Sequence, residues 1–129
     1  MNSRHPINTN LTLHHVGPWH GYAVQLQHGP LVNGYLSRIK RTLDCSLLQH
    51  PRTLAVRVEL RLPESSPFQK ECLMNRFIRS LRAQVQADVA RKRSDGKRVH
   101  DTAVRYVWAR EQEQSEQPHY HLCLFFNRD

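Results

Sequence analysis

The chain has 129 residues, a length typical of one folded domain rather than two. Hydrophobic residues make up 39% of it and charged residues 23%, which excludes a disordered tail and predicts a buried core. The longest apolar run, Leu122 to Phe126, is far shorter than the roughly 20 residues that span a bilayer, and the N-terminus lacks a signal-type apolar stretch. We therefore expect a cytoplasmic protein with no membrane partner.

The excess of positive charge points to an anionic partner. Lys and Arg number 19 against 11 Asp and Glu, giving a net charge of +8. The segment from Arg76 to Arg98 contains eight basic and two acidic residues, so it alone accounts for +6. Charge does not distinguish nucleic acid from anionic lipid or an acidic protein. If the partner is nucleic acid, this segment predicts phosphate contacts at Arg91, Lys92, Arg93, Lys97 and Arg98.

The first half of the chain divides into a polar stretch and a helix. Residues 1–29 are rich in histidine, and we interpret them as an N-terminal extension whose structure the sequence does not predict. After Pro30, apolar residues recur at steps of three and four and predict an amphipathic helix that ends before Pro51. These residues are Val32, Leu36, Ile39, Leu43 and Leu47.

A strand and a long helix follow. Residues 54–62 alternate strictly between apolar and other side chains, which predicts a strand with Arg57, Glu59 and Arg61 on one face. Ser66-Pro67 is typical of a helix start and Gly96 of a helix end. Between them the apolar stripe of the helix comprises Met74, Ile78, Leu81, Val85 and Val89.

Residues 103–126 are typical of a hairpin, with β-forming segments on both sides of a polar connection from Gln112 to Pro118. Strands that adjoin in sequence pair antiparallel, so we predict an α+β fold: an antiparallel β-sheet with flanking helices. Tyr106 and Trp108 are expected in its core.

The last strand begins with His119-Tyr120-His121, and alternation places the two histidines on the same face. Imidazoles about 6.5 to 7 Å apart along a strand can chelate one metal ion. A hairpin centred near Ser115 places Glu111 opposite His119 and Ala109 opposite His121. Glu111 is then the predicted third ligand, and two imidazoles with one carboxylate leave positions open for substrate.

Glu59 is the alternative carboxylate. If its strand lies beside the histidine strand, Glu59 approaches the metal, and Arg57 and Arg61 line a path for phosphates. A solvated sheet face with alternating charges explains the same pattern. Two histidines separated by one residue also arise by chance in a chain with nine, so both interpretations remain open.

These motifs resemble the HUH endonuclease superfamily of rolling-circle replication initiators, relaxases and related transposases. The resemblance rests on His119-Tyr120-His121, with Pro118 before it and Glu111 upstream. Within the superfamily the chain is similar to the inovirus-type replication endonucleases of phages and prophages. That likeness adds the strand Arg57-Val58-Glu59-Leu60-Arg61 and the stretch Trp108-Ala109-Arg110-Glu111, and it extends over roughly residues 30–127. It implies one HUH-like domain over residues 1–129.

The resemblance implies cleavage of single-stranded or origin DNA by a tyrosine, which leaves a 5′-phosphotyrosyl link and a free 3′-OH. It also implies Mg²⁺ or Mn²⁺ as cofactor, held by His119, His121 and Glu111.

The nucleophile departs from the family pattern. Superfamily members usually carry the tyrosine on a helix after the two histidines, but this chain ends at Asp129. Tyr106 and Tyr120 alternate away from the histidines, and Tyr22 and Tyr35 lie in no recognised motif. We consider three cases in this order: the fold is incomplete at its C-terminus and the nucleophile is missing, the protein binds DNA and metal without nicking, or Tyr35 or Tyr22 is recruited.

Two further functions remain open. A non-catalytic basic module would regulate replication or transcription by holding DNA, with the histidines structural. A metal-dependent phosphoesterase would instead use an activated water and form no covalent adduct.

Overall fold

The computed structural model describes residues 3–61, 73–111 and 119–129, with only the backbone at Glu111. Contacts divide the chain into two compact units, Met1–Asp44 and Cys45–Asp129. The boundary falls inside the first helix, α1 (Asn33–Gln49). The expectation of a single domain over residues 1–129 stays a prediction.

The first unit contains a small antiparallel sheet that the sequence did not predict. Its strands are β1 (Ser3–Arg4), β2 (Thr12–His14) and β3 (Leu31–Val32), in the order β1-β2-β3. Short strands with polar residues between them carry no clear alternation, which is why their pattern gave no signal. Asn33 joins the sheet to α1, because its side-chain amide donates to Thr12 Oγ1 over 3.0 Å.

The second unit is built on a larger antiparallel sheet. The strands are β4 (Thr53–Arg61), β5 (Arg105–Glu111) and β6 (His119–Asn127). Among the described residues the order is β4-β6-β5, so β6 is the central strand. The helix α2 (Leu73–Ser94) lies between β4 and β5 in the chain.

One face of this sheet packs against α2 and forms the core. Met74 and Ile78 of α2 are buried with Tyr120, Leu122 and Leu124 of β6. Partly buried side chains of all three strands complete the cluster: Val56, Val58, Leu60, Tyr106 and Phe126. Because neighbours in a strand alternate, His119, His121 and Cys123 project from the opposite face.

The C-terminus of α2 is closed by glycine. Gly96 has a φ of 79°, and the Lys97 amide donates to the Lys92 carbonyl over 2.9 Å while the Gly96 amide donates to Arg93. This bonding satisfies carbonyls that the helix end leaves unpaired. The predicted stop is confirmed, whereas the predicted start at Ser66-Pro67 lies outside the described residues.

The predicted α+β class is confirmed, and α1, β4, α2, β5 and β6 follow one another in the predicted order. Val32, predicted as the first apolar residue of the first helix, lies in β3 instead. The predicted connection from Gln112 to Pro118 lies outside the described residues. Within the part of the chain that is described, no helix has both the length and the apolar character needed to cross a membrane.

Candidate functional site

His119 and His121 occupy the start of the central strand β6. Both side chains are half-buried, while Tyr120 between them is only 2% exposed and belongs to the core. The buried Tyr120 therefore fixes the direction in which its two neighbours point, since successive side chains alternate between the faces of a sheet. The two histidines therefore lie on the same face of the sheet, as predicted.

The strands on both sides bring carboxylates to the histidines. In the β5–β6 pair, Glu111 lies opposite His119 and Ala109 lies opposite His121, as the hairpin centre predicted. In the β4–β6 pair, Glu59 lies opposite His121. Directly opposed residues have Cβ atoms about 4.5 to 5.5 Å apart, so the histidine pair lies between two strands that each supply a carboxylate.

Arg61 already holds the carboxylate of Glu59. Its Nη2 lies 2.8 Å and its Nε 3.1 Å from Glu59 Oε1. This hydrogen bond and the guanidinium charge lower the pKa of Glu59, and His121 and His119 lower it slightly further. The two residues remain largely exposed, at 65% for Arg61 and 43% for Glu59, so the pair contributes little to stability.

Two imidazoles and a carboxylate are the kinds of donor group that suit a divalent cation. Within residues 3–61, 73–110 and 119–129, no group of three His, Cys, Asp or Glu side chains is gathered as a metal site. The side chain of Glu111 lies outside that set. His119 and His121 are the residues that would hold the ion, with Glu111 as the third ligand and Glu59 available only if Arg61 releases it.

The predicted DNA contacts separate into two groups. Arg57 and Arg61 lie on the histidine face, opposite Cys123 and His119. The other group belongs to α2, which packs on the opposite face of the sheet, and to the segment that follows it. It comprises Arg91, Lys92, Arg93, Lys97 and Arg98.

The second group also lies at the far end of the sheet. Arg93 binds Asp101 over 2.8 Å, and the carbonyl of Asp101 accepts from the side chain of Asn127. Asn127 and His119 are the last and first residues of β6, about 27 Å apart at about 3.4 Å per residue. A ligand that contacts both Arg93 and the histidine face must therefore span a comparable distance.

Ion pairs reduce the free positive charge of α2. Asp88 binds Arg91 and, over 2.8 Å, Lys92, and Lys92 is the main cause of the lowered pKa of Asp88. With Arg93 on Asp101, each basic side chain of the last turn has an acidic neighbour. Lys97 and Arg98 beyond the helix are exposed. The positive electrostatic potential around this segment is therefore weaker than its net charge of +6 suggests.

Two of the four tyrosines, Tyr106 and Tyr120, lie on strands of the sheet that carries the histidine pair. Tyr120 is buried in the core, and Tyr106 faces α2, where the Arg82 guanidinium lies 5.5 Å from its ring centroid. Both therefore face away from the histidines, as predicted. Tyr22 and Tyr35 are 52% and 56% exposed in the first unit, and their recruitment stays a prediction.

Two side chains were not anticipated. Trp108, expected in the core, is 49% exposed because β5 lies at an edge of the described sheet, although its ring meets Tyr120 with centroids 5.7 Å apart. His50 is buried and its Nε2 accepts the Ala103 amide over 3.0 Å, which ties the end of α1 to the start of β5. Strand order is not visible in the sequence, and His50 stands in no motif.

The family model of the YagK/YfjJ C-terminal domain matches residues 20–129. The chain belongs to this family. It is 34% identical over 111 residues to the uncharacterized protein YagK of Escherichia coli (strain K12), an alignment covering 79% of this chain and 53% of YagK. It is 32% identical over 114 residues to the uncharacterized protein YfjJ of the same organism, covering 80% of the chain and 55% of YfjJ.

The chain thus spans about half the length of these curated relatives. No solved structure matches it. The relatives' names assign no activity.

Proposed function

We propose that this domain is the metal-binding and single-stranded-DNA-binding part of an HUH-type replication endonuclease. The observation that carries the proposal is the register of the sheet. It aligns His119 and His121 on the central strand with a carboxylate on each neighbouring strand, Glu111 on β5 and Glu59 on β4. Two imidazoles and one carboxylate are suited to a cation that also binds substrate oxygen.

The arginines of β4 support a nucleic-acid substrate. Arg57 and Arg61 project on the same face as the histidines, within two positions of Glu59. Guanidinium groups bind phosphate oxygens through paired N–H donors, so these side chains would position a DNA backbone across β6. Arg61 would then bind Glu59 in the free protein and a phosphate in the complex with DNA.

The reaction proposed is a transesterification. A tyrosine oxygen attacks the phosphorus of a DNA phosphodiester, a 5′-phosphotyrosyl ester forms, and the 3′ oxygen leaves as a hydroxyl after gaining a proton. A bound Mg²⁺ or Mn²⁺ supplies Lewis-acid polarisation of the scissile phosphate. The residues of this chain bind and orient that phosphate. Tyr106 and Tyr120 do not supply this oxygen, because they face α2.

A second candidate function is a DNA-binding module without catalysis. It is favoured by the contact between Arg61 and Glu59, which makes one of the two carboxylates unavailable to a cation. In such a module the histidines would be structural. DNA affinity would fall with salt and would not respond to chelators.

Calorimetric titration of Mn²⁺ tests the metal claim. We expect one site per chain in the wild type and no detectable site in the double variant His119→Ala/His121→Ala. The matched control is His28→Ala/His100→Ala, which removes two exposed histidines, one from each unit. This control should bind Mn²⁺ as the wild type does.

Equal binding by the wild type and the His119/His121 variant would contradict the proposal. The second candidate is tested with the same proteins and a fluorescent single-stranded oligonucleotide, with Mn²⁺ or with EDTA. The endonuclease proposal predicts tighter binding with Mn²⁺, lost in the His119/His121 variant. Binding that ignores both Mn²⁺ and the double substitution would favour the module.

A further inference from the structure

A groove runs along α2, beside Tyr106 of β5 and the segment 101–104 that leads into β5. It consists of three consecutive cavities of about 450, 210 and 420 Å³. The first and second share Arg82 and Gln86, and the second and third share Gln86, Thr102 and Ala103. Neighbouring cavities share these walls, and we name the row of three the α2–β5 groove. It begins near Asn75 and ends at Arg93.

Basic and amide side chains dominate the polar walls of this groove. Arg79 and Arg82 line its first cavity together with Asn75 and Gln86, and none of the described residues that line that part is acidic. In the third cavity the acidic lining residue is Asp101, which Arg93 already binds over 2.8 Å. The groove is therefore electropositive over most of its length and complements a chain of anions.

Arg82 is held in place at the centre of the groove. Its Nη2 donates to the Val104 carbonyl over 2.8 Å, and its guanidinium lies over the Tyr106 ring. A guanidinium fixed by one hydrogen bond and one ring keeps other N–H donors for a ligand. Less side-chain freedom is then lost when the ligand binds.

An exposed aromatic ring lies on the same strand face as Tyr106. Trp108 is two residues further along β5 and 49% exposed, and it rests against Tyr120 of the core. A large ring that is supported from behind and open to solvent offers a stacking surface. Such rings beside arginines are the combination by which proteins bind unpaired nucleic-acid strands.

We propose that the α2–β5 groove binds a single strand of nucleic acid, with its phosphates on Arg79 and Arg82 and an unpaired base stacked on Trp108. A duplex would not use Trp108, because its bases are already stacked on each other. An acidic protein segment would satisfy the arginines but would gain little from the indole. The occupant that uses both features is a single strand.

This inference deepens the proposed function by giving the DNA strand a path. Since β5 is an edge of the described sheet, a DNA strand that crosses β5 passes from the histidine face to the groove. The groove then continues towards Arg93, where the second predicted group of DNA contacts begins. Binding in the groove requires no metal, so it can be tested without the histidine site.

The experiment measures fluorescence anisotropy of a labelled twelve-nucleotide oligo(dT) with the whole 129-residue chain in EDTA. Trp108→Ala and Arg79→Ala should each weaken binding by about five-fold or more. Arg41→Ala removes the same charge from an exposed position of α1 and should change affinity less than about two-fold.

Tryptophan emission provides a second readout that does not depend on the alanine variants. The chain has two tryptophans, and Trp19 is 7% exposed. Oligo(dT) should quench the wild type but not Trp108→Phe, in which a ring still packs against Tyr120. Wild-type affinity in both Trp108→Ala and Arg79→Ala, with no quenching of wild-type emission by oligo(dT), would overturn the proposal. Equal binding of a duplex or of oligo-glutamate would also overturn it. If the wild type does not bind Mn²⁺ but oligo(dT) binding changes in the groove variants as predicted, only the metal site is refuted.

Discussion

Glu59 of β4 lies directly opposite His121 of β6, yet its carboxylate is bound by Arg61. The same pair of strands therefore brings a potential metal ligand to the histidine and a cation that competes for it. This relationship distinguishes the two carboxylates flanking the site. Glu59 has a partner within its own strand, and Glu111 approaches His119 from the other side.

Arg61→Ala should raise the pKa of Glu59 towards its ordinary value, because the arginine is the largest cause of its lowering. A lowered pKa means that the ion pair is present above that pKa and is lost as pH falls through it. Carbon-13 NMR of the Glu59 side-chain carboxyl, recorded across the acidic range, measures the change. Arg41→Ala should leave the titration unchanged, and an unshifted midpoint in Arg61→Ala would contradict the assigned contact.

Arg61→Ala should also have opposite effects on the two ligands. Loss of the guanidinium removes a positive charge from the histidine face and frees Glu59, so Mn²⁺ should bind about two- to ten-fold more tightly. Single-stranded DNA should bind more weakly, because a phosphate contact is lost. Calorimetry and anisotropy on the same protein measure both. Parallel changes in the two affinities would argue against a dual role for Arg61.

Glu111→Gln and Glu59→Gln identify the third ligand. Removal of a ligating carboxylate should lower Mn²⁺ affinity by about ten-fold or more, because a hard cation prefers anionic oxygen. We expect that loss in Glu111→Gln and a change below about three-fold in Glu59→Gln. The reverse result would make Glu59 the ligand and would require Arg61 to move.

Much of the site could be predicted because the centre of a hairpin determines which residues of its two strands pair. Once the hairpin centre is assigned near Ser115, each residue of β5 has a defined partner in β6, and Glu111 must lie opposite His119. The pairing of β4 with β6 had no such constraint, since a long helix separates the two strands. Its direction and register depend on packing against α2, and a sequence pattern does not encode that packing.

Ile78→Ala should destabilise the second unit by about 2 to 5 kcal/mol, because Ile78 is 2% exposed at the centre of the α2 contact with the sheet. Leu54→Ala is the control. Leu54 lies on the same face of the sheet but is 44% exposed, so we expect a loss below about 1 kcal/mol. Chemical denaturation followed by far-UV circular dichroism measures both values. Similar losses in the two variants would contradict the described packing of α2.

Gly96→Ala should lower the free energy of unfolding by about 1 to 2 kcal/mol, because the φ of 79° is unfavourable for a residue with a Cβ. No atom lies within 4 Å of the added carbon, so the cost is one of backbone conformation rather than collision. Gly34→Ala, in the first turn of α1, meets no atom within 4 Å either and should be neutral or stabilising. A destabilised Gly34→Ala with a neutral Gly96→Ala would contradict the assigned end of α2.

The main elements of the second unit were predictable because their patterns are strong. Strict alternation marked β4, and steps of three and four marked α1 and α2. The small sheet of β1, β2 and β3 was missed because its strands are too short for any period to be seen. The exposure of Trp108 was missed for another reason: whether a strand is central or an edge is decided by pairing between distant segments.

The most direct test of the metal site is paramagnetic broadening of backbone amide signals by substoichiometric Mn²⁺. If His119 and His121 hold the ion, broadening should centre on residues 119–123 of β6. It should extend to the amides of Glu59 and Ala109, which lie opposite His121. The His119→Ala/His121→Ala variant should show none of it. Broadening centred on Asp88, Asp101 or residues of the first unit, or a pattern unchanged in the double variant, would contradict the account.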